Sequence, residues 1–284
     1  GIYWFKAEKL SGLLDKLGNN NAAGEYYLTD TVAVAEKKGV YTADSTDVVL
    51  GANSRSQLAA LNEVARKRKL AELMDEGVDI PLSDGIIIGK DVKIGHDTVI
   101  LPNTIIKGKT VIGNGCEIGP NSYIADCVIE DNVILNNVQA HESKVDSKAK
   151  AGPFVHLRPN THLHSGVKIG DFVEVKNSEI GINTCIAHLT YIGDSDVGKG
   201  VNFGCGCVTA NYDGIKKYRT TIGDNAFIGC NTNLIAPVTI GDNATTAAGS
   251  TITKNVPADS LAVERGQTRI IEHWEKNSKR IKKA

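Results

Sequence analysis

The sequence predicts a mainly β protein built as a parallel β-helix, on three observations. An Ile, Val or Leu recurs at every sixth position from about Ile88 to Val256. Gly or another small or acidic residue usually follows it, as in Ile88-Gly-Lys-Asp-Val-Lys, Ile94-Gly-His-Asp-Thr-Val and Ile222-Gly-Asp-Asn-Ala-Phe. The fifth position of the unit is small: Val92, Thr98, Thr104, Thr110, Cys116, Ser122. A period of six suits neither an amphipathic helix nor a simple half-buried strand. It suits a short strand and a corner, with the aliphatic residue inward and Gly, Asn or Asp in the turn. Three such units make a triangular coil of about eighteen residues. Successive coils stacked about 4.8 Å apart would give nine or ten coils and a prism about 45 Å long.

The segments before the repeat read in order as follows. Ile2 to Phe5 reads as a strand, Lys6 to Leu17 as a helix, and Asn19-Asn-Asn21 as a break. A second helical pattern runs from Thr31 to Lys38, and strands are expected at Val40 to Thr42 and Val48 to Leu50. Ser56 to about Glu76 is a long charged helix with Leu58, Leu61, Val64, Leu70 and Leu73 near one face, suited to linking two domains. The expected organisation is a small α/β piece over 1–55, a linker helix over 56–80, the β-helix over 81–256 and a charged tail over 257–284. In the tail, Ile270, Ile271, Trp274 and Ile281 suit a short helix or a frayed basic end.

Composition narrows the function classes. The net charge of −1 over 284 residues gives no general pull toward nucleic acid or membrane. No run of eighteen apolar residues occurs, and no signal peptide is visible. The six cysteines lack zinc-type CxxC pairs, and Cys116, Cys185 and Cys207 fill small-residue positions of the repeat. A reducing cytoplasm is the simplest context.

Chemistry is expected where the beat weakens, because the coil itself supplies only scaffold. It slips to five residues after Ile124, Val175 and Ile192, blurs over 135–157, and breaks at Asn211-Tyr-Asp-Gly-Ile-Lys-Lys-Tyr-Arg-Thr220. Arg158 and Lys176 are eighteen apart, one coil, and could present two cations to a phosphate. His188 and Tyr191 follow, Asn202 lies fourteen after His188, and Asn211 and Tyr212 open the interrupting loop. Taken singly, Arg158 or Lys176 also reads as a solvated corner, and His188 as a satisfied structural histidine.

The runs Leu157-Arg-Pro159, Gly170-Asp-Phe-Val-Glu-Val-Lys176, His188-Leu-Thr-Tyr-Ile-Gly-Asp194, Asn211-Tyr-Asp-Gly214 and Ile235-Ala-Pro-Val238 carry a specific resemblance. They resemble the acetyltransferase domain of the bacterial bifunctional enzymes that join glucosamine-1-phosphate N-acetyltransferase to N-acetylglucosamine-1-phosphate uridyltransferase. Asn19 to Asp30 and Gly51-Ala-Asn-Ser-Arg55 resemble the end of the uridyltransferase domain, so the likeness spans essentially the whole chain. It implies a left-handed coil, a homotrimer with sites between neighbouring prisms, and acetyl-CoA as cosubstrate. By the same resemblance His188 is the general base, and Arg158, Lys176, Tyr191 and Asn202 bind glucosamine-1-phosphate. Cys205, Asn211, Tyr212, Cys230, Ala248 and Arg265 line the acetyl-CoA site. Asn53 matches a Mg²⁺ ligand of the uridyltransferase half.

Three departures accompany the resemblance. Better-known members carry Ala and Ser where this chain has Cys205 and Cys230. The segment around Arg265 is less family-like. The glycine-rich nucleotide loop and the metal-binding Asp of the uridyltransferase domain are missing from these 284 residues. Three other readings remain at this point: a covalent route through Cys205 or Cys230, a zinc hydratase using His156, His162 and His164, and a non-catalytic solenoid. One ligand, Asn53, does not make a Mg²⁺ site. No uridyltransferase turnover is therefore expected, and pyrophosphate release from UTP measures it; clear turnover would refute the expectation.

Overall fold

The computed structural model describes residues 2–274, in two compact units divided after Ala65. In the second unit the six-residue beat becomes a parallel β-helix of the hexapeptide type, with three sheets of ten, nine and ten strands. The first face begins at Ile87–Ile88, the second at Lys93–Ile94 and the third at Val99–Ile100. Every strand bonds to the strand one coil away, as in Ile88↔Ile106, Ile94↔Ile112 and Ile100↔Ile118. Each of these pairs is eighteen residues apart, so three six-residue units do close one turn.

The slips in the beat are shortened coils. Ile112↔Ile129 and Val175↔Ile192 span seventeen residues, and Ile129↔Val145 spans sixteen. The blur over 135–157 adds a second cause to this shortening: Ala140 and Ala151 take the inward position usually held by a branched residue, and both are buried. One coil is much longer. Thr209↔Leu234 spans twenty-five residues, and the excess leaves the prism as the loop that follows Asn211.

The core is a column of side chains from all three faces, including Ile106, Leu157 and Ile192 of the first, Ile180 of the second and Ile228 of the third, with essentially no exposure. Burying one such side chain contributes about 1.5–3 kcal/mol. The small fifth positions close the corners. Thr98 donates its Oγ1 hydrogen to Gly113 O at 2.8 Å and accepts from the Cys116 N–H at 3.0 Å, satisfying backbone groups that the turn takes out of the ladder. Asn and Asp occupy many left-handed corner positions, among them Asn103, Asn160, Asn183 and Asn243, because these residues tolerate that conformation best after Gly.

Among the described residues, α-helices occur only ahead of the coil or at its entrance: Ala7–Leu14, Thr31–Val34 and Arg55–Asp75. Both early helices are shorter than the sequence pattern suggests. The strands expected at Ile2–Phe5, Val40–Thr42 and Val48–Leu50 do not form. An isolated strand has no ladder partner to satisfy its backbone. Around Val48 the Ser45 hydroxyl instead accepts from the Asp47 N–H at 3.1 Å and starts a short 3₁₀ turn over Thr46–Val49. The long helix meets expectation, and its final turns bury Leu70 and Leu73 in the β-helix core. At the other end the third face continues to Leu261–Ala262, past Val256. Most of the expected tail helix, including Ile281, lies outside the described residues.

Replacing a central core residue tests the inward column. Ile192→Ala is expected to lower unfolding stability by about 2–5 kcal/mol, while Ile182→Ala, at a 48% exposed corner, changes it by less than about 0.5 kcal/mol. Chemical denaturation of both variants checks the contrast.

Candidate active site

Two sets of candidate residues border the first face. Arg158 and Lys176 stack at its trailing edge: the Arg158 N–H bonds to Val175 O at 2.9 Å, and Lys176 pairs in turn with Gly193. The expected one-coil stacking of the two cations is therefore present. Tyr191 lies on the face itself, in one row with Glu174 and His156. His188 stands exposed at the leading corner, paired with Asp171 one coil below.

Sequence reasoning missed three residues that organise this face. Glu174 accepts a 2.7 Å hydrogen bond from Arg158 Nη1 and so raises the Arg158 pKa further above its already high value. Asp194 is buried where the first face turns into the second, and Asn177 and Asn211 both donate to it. Lys217, delivered by the long loop, comes close to Lys176. That second ammonium, and then partial burial, pull the Lys176 amine below its ordinary pKa against the opposing charge of Asp194. Three cations, Arg158, Lys176 and Lys217, thus gather at one edge with two of them mutually repelling, a field suited to an incoming anion. The signal in the sequence was the basic run Lys216-Lys217, but no spacing rule says where a loop returns.

Asn211 is more committed than the resemblance implies. It is buried, its amide donates to Asp194, and its Nδ2 sits 3.5 Å from the Tyr191 hydroxyl. Gly193 makes this close approach possible. A Cβ there would fall 2.3 Å from Tyr191 Oη and 2.8 Å from Asn211 Nδ2. Tyr212 is exposed, and its hydroxyl donates to Gly214 O at 2.7 Å, while Asp213 accepts from the Ile215 and Lys216 N–H groups. The loop is thus a closed hairpin.

The remaining candidates form a second set along the corner between the third and first faces. Asn231 N–H donates to Cys205 O at 2.7 Å and Gly249 N–H to Cys230 O at 2.8 Å. These bonds continue the register Cys185↔Asn202↔Phe227, so His188, Cys205, Cys230 and Ala248 run up one corner. Cys205, Cys230 and Ala248 are exposed, and Arg265 lies beyond them with its Cδ beside Gly249. The corner is tight near His188: a Cβ on Gly170 would fall 1.9 Å from Ala187 O. Next to it, Phe154, Phe172 and Leu189 hold positive φ, 54–60% exposed, with the two phenyl rings stacked 5.2 Å apart. Bulky residues seldom adopt that conformation. Asn202 is on the third face, away from the cations.

Two further expectations separate in space. His156 faces out from the first face, its pKa lowered by burial, whereas His162 and His164 belong to the second face and its trailing corner. The three histidines proposed for a zinc hydratase therefore do not converge within the chain. Asn53 is exposed in the first unit, and its N–H is tied to Gln57 Oε1 at 2.7 Å. A lone amide oxygen does not fit a Mg²⁺ site, which needs carboxylates.

The comparisons with known proteins agree with this architecture. The family described as bacterial transferase hexapeptide (six repeats) matches residues 219–254. The chain is 50% identical over 278 residues to the bifunctional protein GlmU of Acetivibrio thermocellus, covering 96% of this chain and 60% of that protein. It is a homologue of the GlmU proteins. The GlmU of Clostridium acetobutylicum is 48% identical over 276 residues, with the same coverage, and that of Streptococcus agalactiae 47% over 271 residues. The chain spans about 60% of the length of the GlmU relatives it matches.

Asp194 supplies a test of the site's electrostatics. Burial alone would raise its pKa, but hydrogen bonds from Asn177 and Asn211, with the charges of Lys176 and Lys217, outweigh burial and hold it below the usual carboxylate range. A depressed folded pKa contributes stability that is present above the unfolded value of about 3.9 and lost as pH falls through the folded one. Asp194→Asn is expected to cost about 1–3 kcal/mol at pH 7. That gap should shrink as pH drops below about 4, which parallel denaturation curves at several pH values will show.

Proposed function

We propose that this chain transfers the acetyl group of acetyl-CoA to the amine of glucosamine-1-phosphate, giving N-acetylglucosamine-1-phosphate for UDP-N-acetylglucosamine synthesis. The observation that carries the reading is the arrangement around the first face: Arg158, Lys176 and Lys217 at one edge, Tyr191 between, and His188 at the other. An anionic group at the cations would orient the rest of a small sugar toward the histidine. The homology to bifunctional GlmU proteins supports the same choice.

In this mechanism Arg158, Lys176 and Lys217 hold the phosphate as charge-assisted partners. Tyr191, with Asn202 supplied from a neighbouring prism, completes the sugar site. His188, as general base, takes a proton from the amine as the nitrogen lone pair attacks the thioester carbonyl. A C–N bond forms, the carbonyl electrons pass to oxygen and return, and the C–S bond breaks. The CoA thiolate leaves and is reprotonated. The cosubstrate would run along Cys205, Cys230 and Ala248, whose small side chains permit close approach, toward Arg265 and the CoA phosphates. Tyr212 would stand at the thioester. The Asn211 amide is committed to Asp194, which leaves a backbone N–H as the oxyanion donor.

The working assembly in this reading is a homotrimer. The exposed Phe154, Phe172 and Leu189 ladder beside His188 is an apolar strip for a second copy to cover. Asn202 lies on a different face from the cations and could serve a neighbouring prism's site. The reading also places residues 1–55 as part of the nucleotidyltransferase portion of the longer relatives, and Arg55–Asp75 as its link to the β-helix. Six free cysteines accord with a cytoplasmic location. Among the described residues no helix is long and apolar enough to cross a membrane.

The deciding measurement is free-thiol release from acetyl-CoA with glucosamine-1-phosphate, against glucosamine alone. The phosphorylated acceptor should be strongly preferred; equal rates would remove the roles given to Arg158 and Lys176. His188→Ala should lower the rate at least ~100-fold. Cys230→Ala should keep most activity, since direct transfer needs no thiol nucleophile, and a collapse there would favour the covalent route.

A further inference from the structure

The structure assigns a transition-metal site to Asp146, His162 and His164, at the corner between the second and third faces. One ligand atom from each of the three lies within 4.8 Å of the others. His162 Nε2 is 2.9 Å from Asp146 Oδ1, and His164 Nδ1 is 3.2 Å from Asp146 Oδ2. Zinc–nitrogen and zinc–oxygen bonds of about 2.0–2.2 Å set tetrahedral neighbours roughly 3.3 Å apart. Each histidine–carboxylate distance lies within a few tenths of an ångström of that separation, one to each oxygen of Asp146.

The outer partners complete the case. A metal-bound imidazole usually donates its other N–H to a carboxylate, which fixes the ring. Here Glu179 Oε2 serves both rings, 2.9 Å from His162 Nδ1 and 3.1 Å from His164 Nε2. The inward nitrogens thus face Asp146 and the outward ones face a single bracing carboxylate. One ligand, His162, and its brace Glu179 line a surface groove of about 470 Å³ together with Lys144, so the site is approached from the His162 side. Lys144 is the resident cation, with its Nζ 2.9 Å from Asp146 Oδ1. It is 47% exposed and already within 3.7 Å of Glu130, to which it can swing when a metal takes its place.

Two imidazoles and one carboxylate suit Zn²⁺ or Co²⁺ and are too nitrogen-rich for Mg²⁺ or Ca²⁺. The ligands come from two neighbouring coils and the brace from a third, so the ion would staple the solenoid along its axis. The site stands on a different corner from both candidate active-site sets, and its test is independent of acetyl transfer.

Cobalt(II) titration of the untagged protein, read by visible absorption, is the experiment. Saturation at one cobalt per chain is expected, with d–d bands and no thiolate-to-cobalt charge transfer. His162→Ala and His164→Ala should each abolish the bands. Glu179→Gln, which keeps the shape of the brace, should weaken binding 10–100-fold, and Lys144→Met should tighten it severalfold. The assignment is overturned if no saturable binding appears, if the bands survive His162→Ala, or if charge transfer places the metal on Cys205 or Cys230. Far-ultraviolet circular dichroism of each variant confirms that lost binding is not lost folding, and Lys144→Met moves the readout in the opposite direction to any unfolding.

Discussion

Everything here depends on the register between coils. One aliphatic residue per face must point inward, and its strand must bond to the strand one turn away. A shift by one residue would carry the core set to the solvent side. The prism therefore tolerates variation only at its corners, where a coil shortens to sixteen or seventeen residues or expels a loop. All the candidate chemistry sits at those corners or on the outward positions beside them, because the inward ones are taken.

The register also turns sequence spacing into geometry. Outward residues one coil apart become neighbours about 4.8 Å apart. This is how Arg158 stacks with Lys176, how His188 aligns with Cys205, Cys230 and Ala248, and how Asp146 meets His164. Three corners thus become three columns of different character: cationic, small and thiol-bearing, and imidazole–carboxylate. A buried charge, Asp194, holds the cationic column together by tying Asn177 and the loop residue Asn211 to one point. Such a charge is costly to bury, which accounts for the two amides and two ammonium groups arranged around it.

Much of this was legible in the chain. The period of six identified the coil, the slips after Ile124 and Val175 marked its short turns, and the pair Arg158 and Lys176 was found by counting to eighteen. The early segments were less legible. Ile2–Phe5 and Val48–Leu50 have strand-like composition, but a strand exists only through a partner, and composition is silent about partners. The triad of His156, His162 and His164 failed for a related reason. Residues six or eight apart in a six-residue repeat fall on different faces, so closeness in sequence works against closeness in space.

The sequence by itself determined the architecture, since a strict six-residue alternation of inward aliphatic and corner residues has one efficient way to bury its apolar groups. It also determined which residue types stand on each outward column. Only the tertiary structure decided which partners those residues meet. The loop after Asn211 brings Lys217 back beside Lys176, Arg158 turns to Glu174, and Glu179 braces two histidines from the coil below. The physical reason is range. The repeat is set by local backbone and burial preferences, whereas charge pairing depends on where long side chains and an expelled loop come to rest, across separations that no short period encodes.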